Sequence, residues 1–239
     1  MRRAPLTGAD LGVYVRAIPL LVRNPSIVVV PLLMAVAGIL LGIVLAPAGG
    51  GLVGSATGGI AGLIIVLLRL FGLGTACIIA DEAWRRGRAS FDNGWTEARR
   101  RAGDILFTAL GVTFIFGIVG YVGALIGLVA YVLLAIAFYF LIWAIPSVAA
   151  GGMGGSEAIQ VSIDRVRANP LPAAIVAVVV AAVIFAASAV SAYLTGWVVA
   201  YTGGGLVNGL VGAVVQAIAD GYIALIITKT YTDASLGRR

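Results

Sequence analysis

Six apolar runs, most of them twenty residues or longer, constrain this chain more than any other feature of its sequence. As a helix, a run of about 20 apolar residues crosses the roughly 30 Å hydrocarbon core of a bilayer. We place the spans at residues 25–46, 57–80, 104–121, 125–149, 170–193 and 206–230. Because 61% of the 239 residues are hydrophobic and only 11% are charged, the chain lacks the polar side chains that a water-soluble domain needs. We therefore predict an all-α integral membrane protein, with six transmembrane helices in a single domain over residues 1–239.

The basic residues lie on one side of this predicted bundle. They precede the first span, separate the second from the third and the fourth from the fifth, and close the chain, whereas the opposite connections contain no Lys or Arg. Of the sixteen basic residues, only Arg69 lies away from this side. The positive-inside rule then predicts a bacterial cytoplasmic (inner) membrane protein with both termini in the cytoplasm. Membrane-surface charge explains the net charge of +6, so we predict no nucleic-acid partner.

Three segments that mix apolar and charged residues precede the predicted hairpins: "TGADLGVYVRAIPLLVRN", "SFDNGWTEARRRAGD" and "GSEAIQVSIDRVRAN". Ser90 and Ser156 are typical helix N-caps, and Ile159, Ile163 and Val166 fall on one helical face. We predict short amphipathic helices at the cytoplasmic interface whose arginines face anionic lipid headgroups, with solvated loops as the alternative. The predicted membrane-surface set is Arg23, Arg85, Arg86, Arg88, Arg99, Arg100, Arg101, Arg165 and Arg167.

An Asn-Pro corner occurs twice, in "VRNPSIVVVPLL" from Val22 and in "VRANPLPAAIVAVV" from Val166. A residue before proline resists the helical conformation, whereas proline itself suits the first turn of a helix. We therefore predict three approximate repeats, at residues 7–80, 90–149 and 155–230. Each consists of an interfacial helix followed by a transmembrane hairpin, and in the middle repeat Asp104 begins the span without a proline.

The residue types present argue against catalysis. Histidine is absent and Cys77 is the only cysteine, which excludes His-dependent triads, His metal ligands and an intrachain disulfide. Cys77 lies in an apolar run and is expected to be a small buried packing residue. Intramembrane hydrolysis would need an aligned base or a second acid, and the closeness of Ser162 and Asp164 in sequence does not establish a dyad. We predict no enzyme activity, no metal site and no cofactor.

Two charges are predicted deep in the membrane, Arg69 in the second span and Asp220 in the sixth. Arg69 lies twelve residues before Asp81, and Asp220 lies eleven residues before Tyr231. Because an α-helix rises about 1.5 Å per residue, both charges lie about 16–18 Å inside the membrane from the basic side. We expect an ion pair, because a lone charge at the bilayer centre costs at least about 2.5–3.5 kcal/mol. Asp220 belongs to a stripe of residues at every fourth position of the sixth span: Asn208, Gly212, Gln216 and Asp220. Asn208 and Gln216 are the other polar residues of this stripe. This polar site either locks two helices together or lines a cavity for an ion, a proton or a lipid headgroup.

Short motifs give the chain a family resemblance. "ADEAWRRGRASFDNGWTEARRRAGDIL" resembles the Gly-Arg, Ser and Arg-rich linker of a group of six-span bacterial membrane proteins. "GGSEAIQVSIDRVRANP" resembles their Glu-Ala-x-x-x-Ser-x-x-x-Val-Arg helix, and "TKTYTDASLGRR" their Tyr-x-Asp exit from the last span. The group includes the membrane domain that accompanies some glycerophosphodiester phosphodiesterases. The resemblance implies the architecture, but we do not expect the phosphodiesterase activity, which belongs to a separate soluble domain.

These features favour a non-enzymatic membrane protein that acts as an accessory, assembly or scaffolding component. Its expected partners are membrane lipids, especially anionic ones, and possibly a protein partner or further copies of the same chain. The alternative is a transporter or lipid-binding protein that uses the polar site around Arg69 and Asp220.

Overall fold

The computed structural model of the chain describes residues 10–45, 52–202 and 206–236. Within these ranges the chain is helical apart from short connections. The helices are α1 (Gly12–Arg23), α2 (Ser26–Val44), α3 (Leu52–Arg86), α4 (Phe91–Arg100), α5 (Ala102–Ile126), α6 (Val129–Leu141), α7 (Ala144–Ala149), α8 (Gly155–Ala168), α9 (Pro170–Thr202) and α10 (Leu206–Leu236). The predicted start of the first repeat at residues 7–9, the predicted span end at residue 46 and the arginines nearest the termini lie outside the described residues.

Six helical segments of the described chain are long and apolar enough to cross a membrane. They are Ser26–Val44, Gly58–Arg86, Ala102–Ile126, Val129–Ala149, Pro170–Val199 and Leu206–Ala234, of which the fourth joins α6 and α7. Each coincides with one of the predicted spans. The all-α, multi-pass architecture is therefore confirmed, while the grouping into three repeats stays a prediction.

Several span ends differ from prediction, and in α3 charged residues extend the helix. α3 ends at Arg86 rather than at residue 80, because ion pairs one turn apart continue the helix beyond its apolar part. Asp81 pairs with Arg85 at 2.8 Å, and Glu82 pairs with Arg86 at 3.0 Å. Both α9 and α10 also continue past their predicted ends, to residues 202 and 236.

The chain reverses between α5 and α6 at Gly127, whose positive φ of 69° suits glycine. α5 continues to Ile126 rather than ending at residue 121, so the turn lies at the last residue of the predicted turn "GYVGALIG". The two helices approach closely beside it, since a Cβ on Gly123 would lie 2.6 Å from the Cβ of Ala130.

The fourth predicted span is interrupted at Ile142 and Trp143, between α6 and α7. Pro146 explains the break, because it has no N–H to donate to the carbonyl of residue 142 and its ring crowds that carbonyl. The Ser162 hydroxyl of α8 spans the break. It donates to the carbonyl of Phe140 at 2.8 Å and accepts from the Trp143 N–H at 3.2 Å. One side chain therefore satisfies two backbone groups that the interrupted helix leaves unpaired.

Helices α3 and α10 form the centre of the bundle. α3 contacts α2, α5, α7 and α10, and α10 also contacts α2 and α9. Most of the fully buried side chains lie at one end of the bundle, beside α1, α4 and α8. We call this the basic end, because the arginine-bearing connections lie there. At the opposite end Leu125 and Leu128 are 75% and 84% exposed, as expected for side chains that contact lipid.

The two predicted Asn-Pro corners have the same backbone conformation. Asn24 has φ −129° and ψ 67°, and Asn169 has φ −135° and ψ 63°. Each asparagine amide donates to the carbonyl four residues earlier, at 2.9 Å to Leu20 and at 3.1 Å to Arg165. Both corners therefore end one helix and begin the next by the same local chemistry, as the sequence predicted.

α1 has two apolar faces on opposite sides. Val13 and Ala17 are buried against the bundle. A second apolar stripe points away from it, and its members are 56% to 77% exposed: Leu11, Val15, Ile18 and Val22. An outward apolar stripe of this kind suits contact with lipid, and the interfacial position of α1 stays a prediction.

Ser90 is the N-cap of α4, as predicted, and its hydroxyl accepts the Asn93 N–H at 3.5 Å. Its inner face packs very closely on the bundle, since a Cβ on Gly94 would lie 2.2 Å from the Ile79 side chain. The polar side chains of the opposite face are exposed. α4 therefore lies on the bundle with its charged face outward.

α8 packs on the bundle through a narrow face of mostly small residues. It begins at Gly155 rather than at Ser156. Its buried side chains are Ala158, Ser162 and Val166, whereas Ile159 and Ile163 are only half-buried. Small residues at every fourth position let α8 approach α5 and α7 closely, and this close approach matters more than the hydrophobicity of the larger side chains.

Candidate functional site

The predicted intramembrane ion pair is present. Arg69 of α3 and Asp220 of α10 lie 3.3 Å apart, measured from a guanidinium nitrogen to carboxylate Oδ1. Residues 69 and 220 are 151 positions apart in the chain, so the pair joins two distant helices. Arg69 lies at the middle of the apolar part of α3, which extends from Gly58 to Ala80. At this depth both charges need a partner, and each provides one for the other.

Gln216 adds a second donor to the same carboxylate oxygen. Its side-chain amide donates to Asp220 Oδ1 at 2.9 Å, one turn away on α10. Gly212, a further turn away, packs on α9, where its Cβ would lie 3.1 Å from the Ser191 hydroxyl. Asn208 continues the stripe, but its buried side-chain oxygen accepts no hydrogen bond within the described part of the chain. The structure thus brings Arg69, Gln216 and Asp220 together and leaves Asn208 outside their cluster.

The two charged groups differ in accessibility. The Asp220 side chain is 9% exposed, whereas that of Arg69 is 50% exposed. The carboxylate is therefore enclosed between helices, while part of the guanidinium faces the surface of the bundle. This arrangement can join α3 to α10, and it also leaves N–H donors of Arg69 accessible to a ligand.

The arginines predicted to face headgroups divide into three groups. The first group makes ion pairs on its own helix and is exposed. Arg85, Arg86 and Arg100 belong to it, with Asp81, Glu82 and Glu97 as their partners. Exposed pairs of this kind contribute only about 0.3–0.5 kcal/mol each, so they mainly keep these side chains extended along the surface.

Arg101 and Arg165 hold the basic end together instead of facing outward. Arg101 pairs with Glu97 and donates to the carbonyl of Ala149 at 2.9 Å, at the end of α7. Burial tends to raise the pKa of Glu97, but its hydrogen bonds and the positive charges of Arg100 and Arg101 outweigh this and lower the pKa below its ordinary value. Glu97 therefore stays charged at neutral pH and holds Arg101 in place.

Arg165 fixes α8 to the end of α10. It donates to the carbonyl of Tyr231 at 3.0 Å, and its guanidinium carbon lies 3.8 Å from the centre of the Tyr231 ring. This combination of hydrogen bond and cation–π contact suits the planar guanidinium. Arg165 is thus a packing residue as much as a surface charge.

The third group keeps exposed guanidinium groups that make no ion pair with any residue in the described ranges. Its members are Arg23, Arg88, Arg99 and Arg167. These four side chains are free to bind an anion. They are the residues of the predicted surface set that best fit contact with headgroups.

Trp143 and Ser162 have structural roles at the break between α6 and α7 that the sequence did not predict in detail. The Trp143 ring is fully buried, and its indole N–H donates to the Thr230 hydroxyl at 3.2 Å. Pro146 within an apolar run was the sequence feature that could have predicted the break around which both residues pack. Asp164 is exposed, whereas the Ser162 hydroxyl bonds to the backbone, so the two do not form a catalytic arrangement.

Comparison with protein-family models, curated proteins and solved structures finds no match to the chain. The family resemblance described from short motifs therefore stays a prediction. The residues of those motifs do have physical roles, because Ala158, Ser162 and Val166 form the buried face of α8 and Tyr231 binds Arg165.

Proposed function

We propose that this chain is a non-enzymatic, multi-pass protein of a bacterial cytoplasmic membrane that serves as an accessory, assembly or scaffolding component. The basic end is its cytoplasmic end, and both termini lie in the cytoplasm. Under this proposal the protein binds another protein, or further copies of itself, through the exposed faces of its interfacial helices.

The observation that carries the proposal is the rigid construction of the basic end. Polar side chains there join neighbouring helices: Asn24 bonds to the α3–α4 connection, Arg101 to α7, and Arg165 to α10. The outer face of α4 remains charged and exposed. A rigid charged surface suits specific binding of a cytoplasmic protein segment, because little order is lost when the partner binds.

The orientation is tested by thiol labelling in intact cells. In a Cys77→Ala background, we expect a membrane-impermeant reagent to label Leu128→Cys directly and Thr96→Cys only after permeabilisation, since both side chains are exposed. The two positions lie at opposite ends of the bundle, and the buried Cys77 is removed so that it does not contribute. Labelling of both positions from the same side would contradict the six-span topology on which the proposal rests.

The accessory role is tested by photo-crosslinking in the native membrane. We expect a crosslinking amino acid at Thr96, exposed on α4, to capture one defined protein partner or a second copy of the chain. The control position is Phe185 on α9. Its side chain is 78% exposed on an apolar surface, so we expect it to capture lipid. Identical adducts from both positions, or a purified chain that moves a solute in vesicles, would contradict the proposal.

A second candidate function is transport or lipid binding at the intramembrane polar site. Two observations favour it: half of the Arg69 side chain is accessible, and the buried side-chain oxygen of Asn208 has no partner among the described residues. An intramembrane charge that can be reached from the bundle surface is a candidate binding group. Solute movement in vesicles that is lost in Asp220→Asn, with the fold intact, would favour this candidate over the scaffold.

A further inference from the structure

A basic cleft lies where α1 meets α2 and α3 meets α4, at the basic end of the bundle. It is an open cleft of about 730 Å³ between two chain segments that are more than sixty residues apart. Three of its lining side chains are arginines: Arg23, Arg86 and Arg88. The other residues used in the argument below are Asn24, Ser26 and Gly87.

The charge of this cleft is only partly neutralised. Arg86 pairs with Glu82 at 3.0 Å, and the other carboxylate oxygen of Glu82 accepts the Ser90 N–H. Arg23 and Arg88 make no ion pair with a described residue. Two free guanidinium groups across one cleft suit the oxygens of a phosphate group, to which arginine donates paired hydrogen bonds.

The backbone that carries these arginines is held rigidly. The buried Asn24 side chain donates to the Gly87 carbonyl at 3.3 Å and accepts the Ala89 N–H at 2.8 Å. The Ser26 hydroxyl also lies within 3.5 Å of the Ala89 carbonyl, to which it donates. Because one side chain ties both walls together, the backbone at Arg23 and Arg88 is fixed on the two walls of the cleft before any ligand binds.

An exposed apolar stripe continues from the cleft along α2. Val29, Leu33 and Leu40 are 39%, 50% and 52% exposed, and they lie within about 60° of Ser26 around the helix axis. Val22 of α1, next to Arg23, is 77% exposed. A ligand held here by its anionic group therefore finds an apolar surface directly beside it.

We propose that this cleft binds an anionic phospholipid, with its phosphate between Arg23 and Arg88 and its acyl chains along the exposed face of α2. The same arginines would also accept a free phosphate ion, whereas the apolar stripe contributes only to a lipid. The site is separate from the Arg69–Asp220 pair, and it goes beyond the accessory role proposed above, which does not require it.

Native mass spectrometry of the purified chain, titrated with phosphatidylglycerol, tests this site. We expect Arg23→Gln/Arg88→Gln to weaken binding of the tightest phosphatidylglycerol by about tenfold or more, since each basic side chain near a membrane surface contributes appreciably to anionic lipid binding. The matched control is Arg85→Gln/Arg100→Gln, which removes the same charge from exposed arginines outside the cleft that pair with Asp81 and Glu97 on their own helices, and it is expected to leave this binding unchanged. Equal losses in both variants would overturn the proposal, because they would mean general attraction to charge.

Two further experiments test whether the variants lose binding because they unfold, and whether the ligand is a lipid or a free phosphate ion. Arg23→Lys/Arg88→Lys keeps the charge, so it should retain more lipid binding than the glutamine variant while unfolding at the same temperature as the wild type. Inorganic phosphate in millimolar excess should not displace the lipid, and Val29→Ser/Leu33→Ser should weaken lipid binding. Displacement by phosphate, with no effect of the serine variant, would overturn the lipid assignment and leave a phosphate-ion site.

Discussion

Replacing Trp143 by alanine is expected to cause the largest loss of stability of any single substitution considered for this chain. The ring is fully buried beside the break between α6 and α7, and its N–H bonds to Thr230 of α10. Truncating a buried tryptophan typically costs about 3–5 kcal/mol, because apolar contacts are lost and a cavity remains. The free energy of unfolding, measured in mixtures of mild detergent and SDS, should fall by an amount in this range.

Tyr131→Ala is the matched control for Trp143→Ala. Tyr131 is an aromatic residue of the same predicted span, but it is 72% exposed at the opposite end of the bundle. Surface substitutions of this kind usually change stability by no more than about 0.5 kcal/mol. Equal losses in the two variants would mean that the core at the basic end does not hold the bundle together.

The helices themselves could be predicted from the sequence because lipid imposes a simple requirement. A spanning segment must satisfy its backbone internally and expose apolar side chains, and a run of about 20 such residues shows this directly. The pairing of Arg69 with Asp220 could also be predicted, since charges in hydrocarbon need a partner and the helical rise fixes their depth.

The packing faces could not be predicted in the same way. The spacing of Ile159 and Ile163 puts them on one face of α8, but it does not show that the structure leaves both half-buried and buries Ser162 instead. Ser162 lies inside because it satisfies backbone groups at the break in another span, and that break depends on Pro146. A contact of this kind depends on which helices become neighbours, so it becomes visible only once the bundle is assembled.

Asn24 illustrates the same limit at a longer separation. Its position before a proline predicted a helix corner, which the structure confirms. Its bonds to Gly87 and Ala89 join segments more than sixty residues apart. The sequence contains no periodicity that would link them, so the basic cleft could not have been found before the fold was known.

Replacing Asp220 by leucine is expected to destabilise the protein more than replacing Arg69 by leucine. Asp220→Leu leaves a guanidinium without its partner at the middle of a membrane span, which costs at least about 2.5–3.5 kcal/mol. Arg69→Leu leaves a carboxylate that still accepts a hydrogen bond from Gln216, at 2.9 Å, so part of the cost is offset. Unfolding free energies of both variants in the same detergent mixtures measure this difference.

The double variant Arg69→Leu/Asp220→Leu separates a structural lock from a functional site. Because neither charge then remains buried alone, it should be more stable than Asp220→Leu, and the two substitutions should be strongly non-additive. Asp233→Asn provides a control on the same helix: Asp233 pairs with the partly exposed Lys229 one turn away near the basic end, where helix pairs of this spacing contribute about 0.3–0.5 kcal/mol. If both single leucine variants kept the wild-type unfolding free energy, the lock would be contradicted, and the polar site would have to be retained for binding or transport.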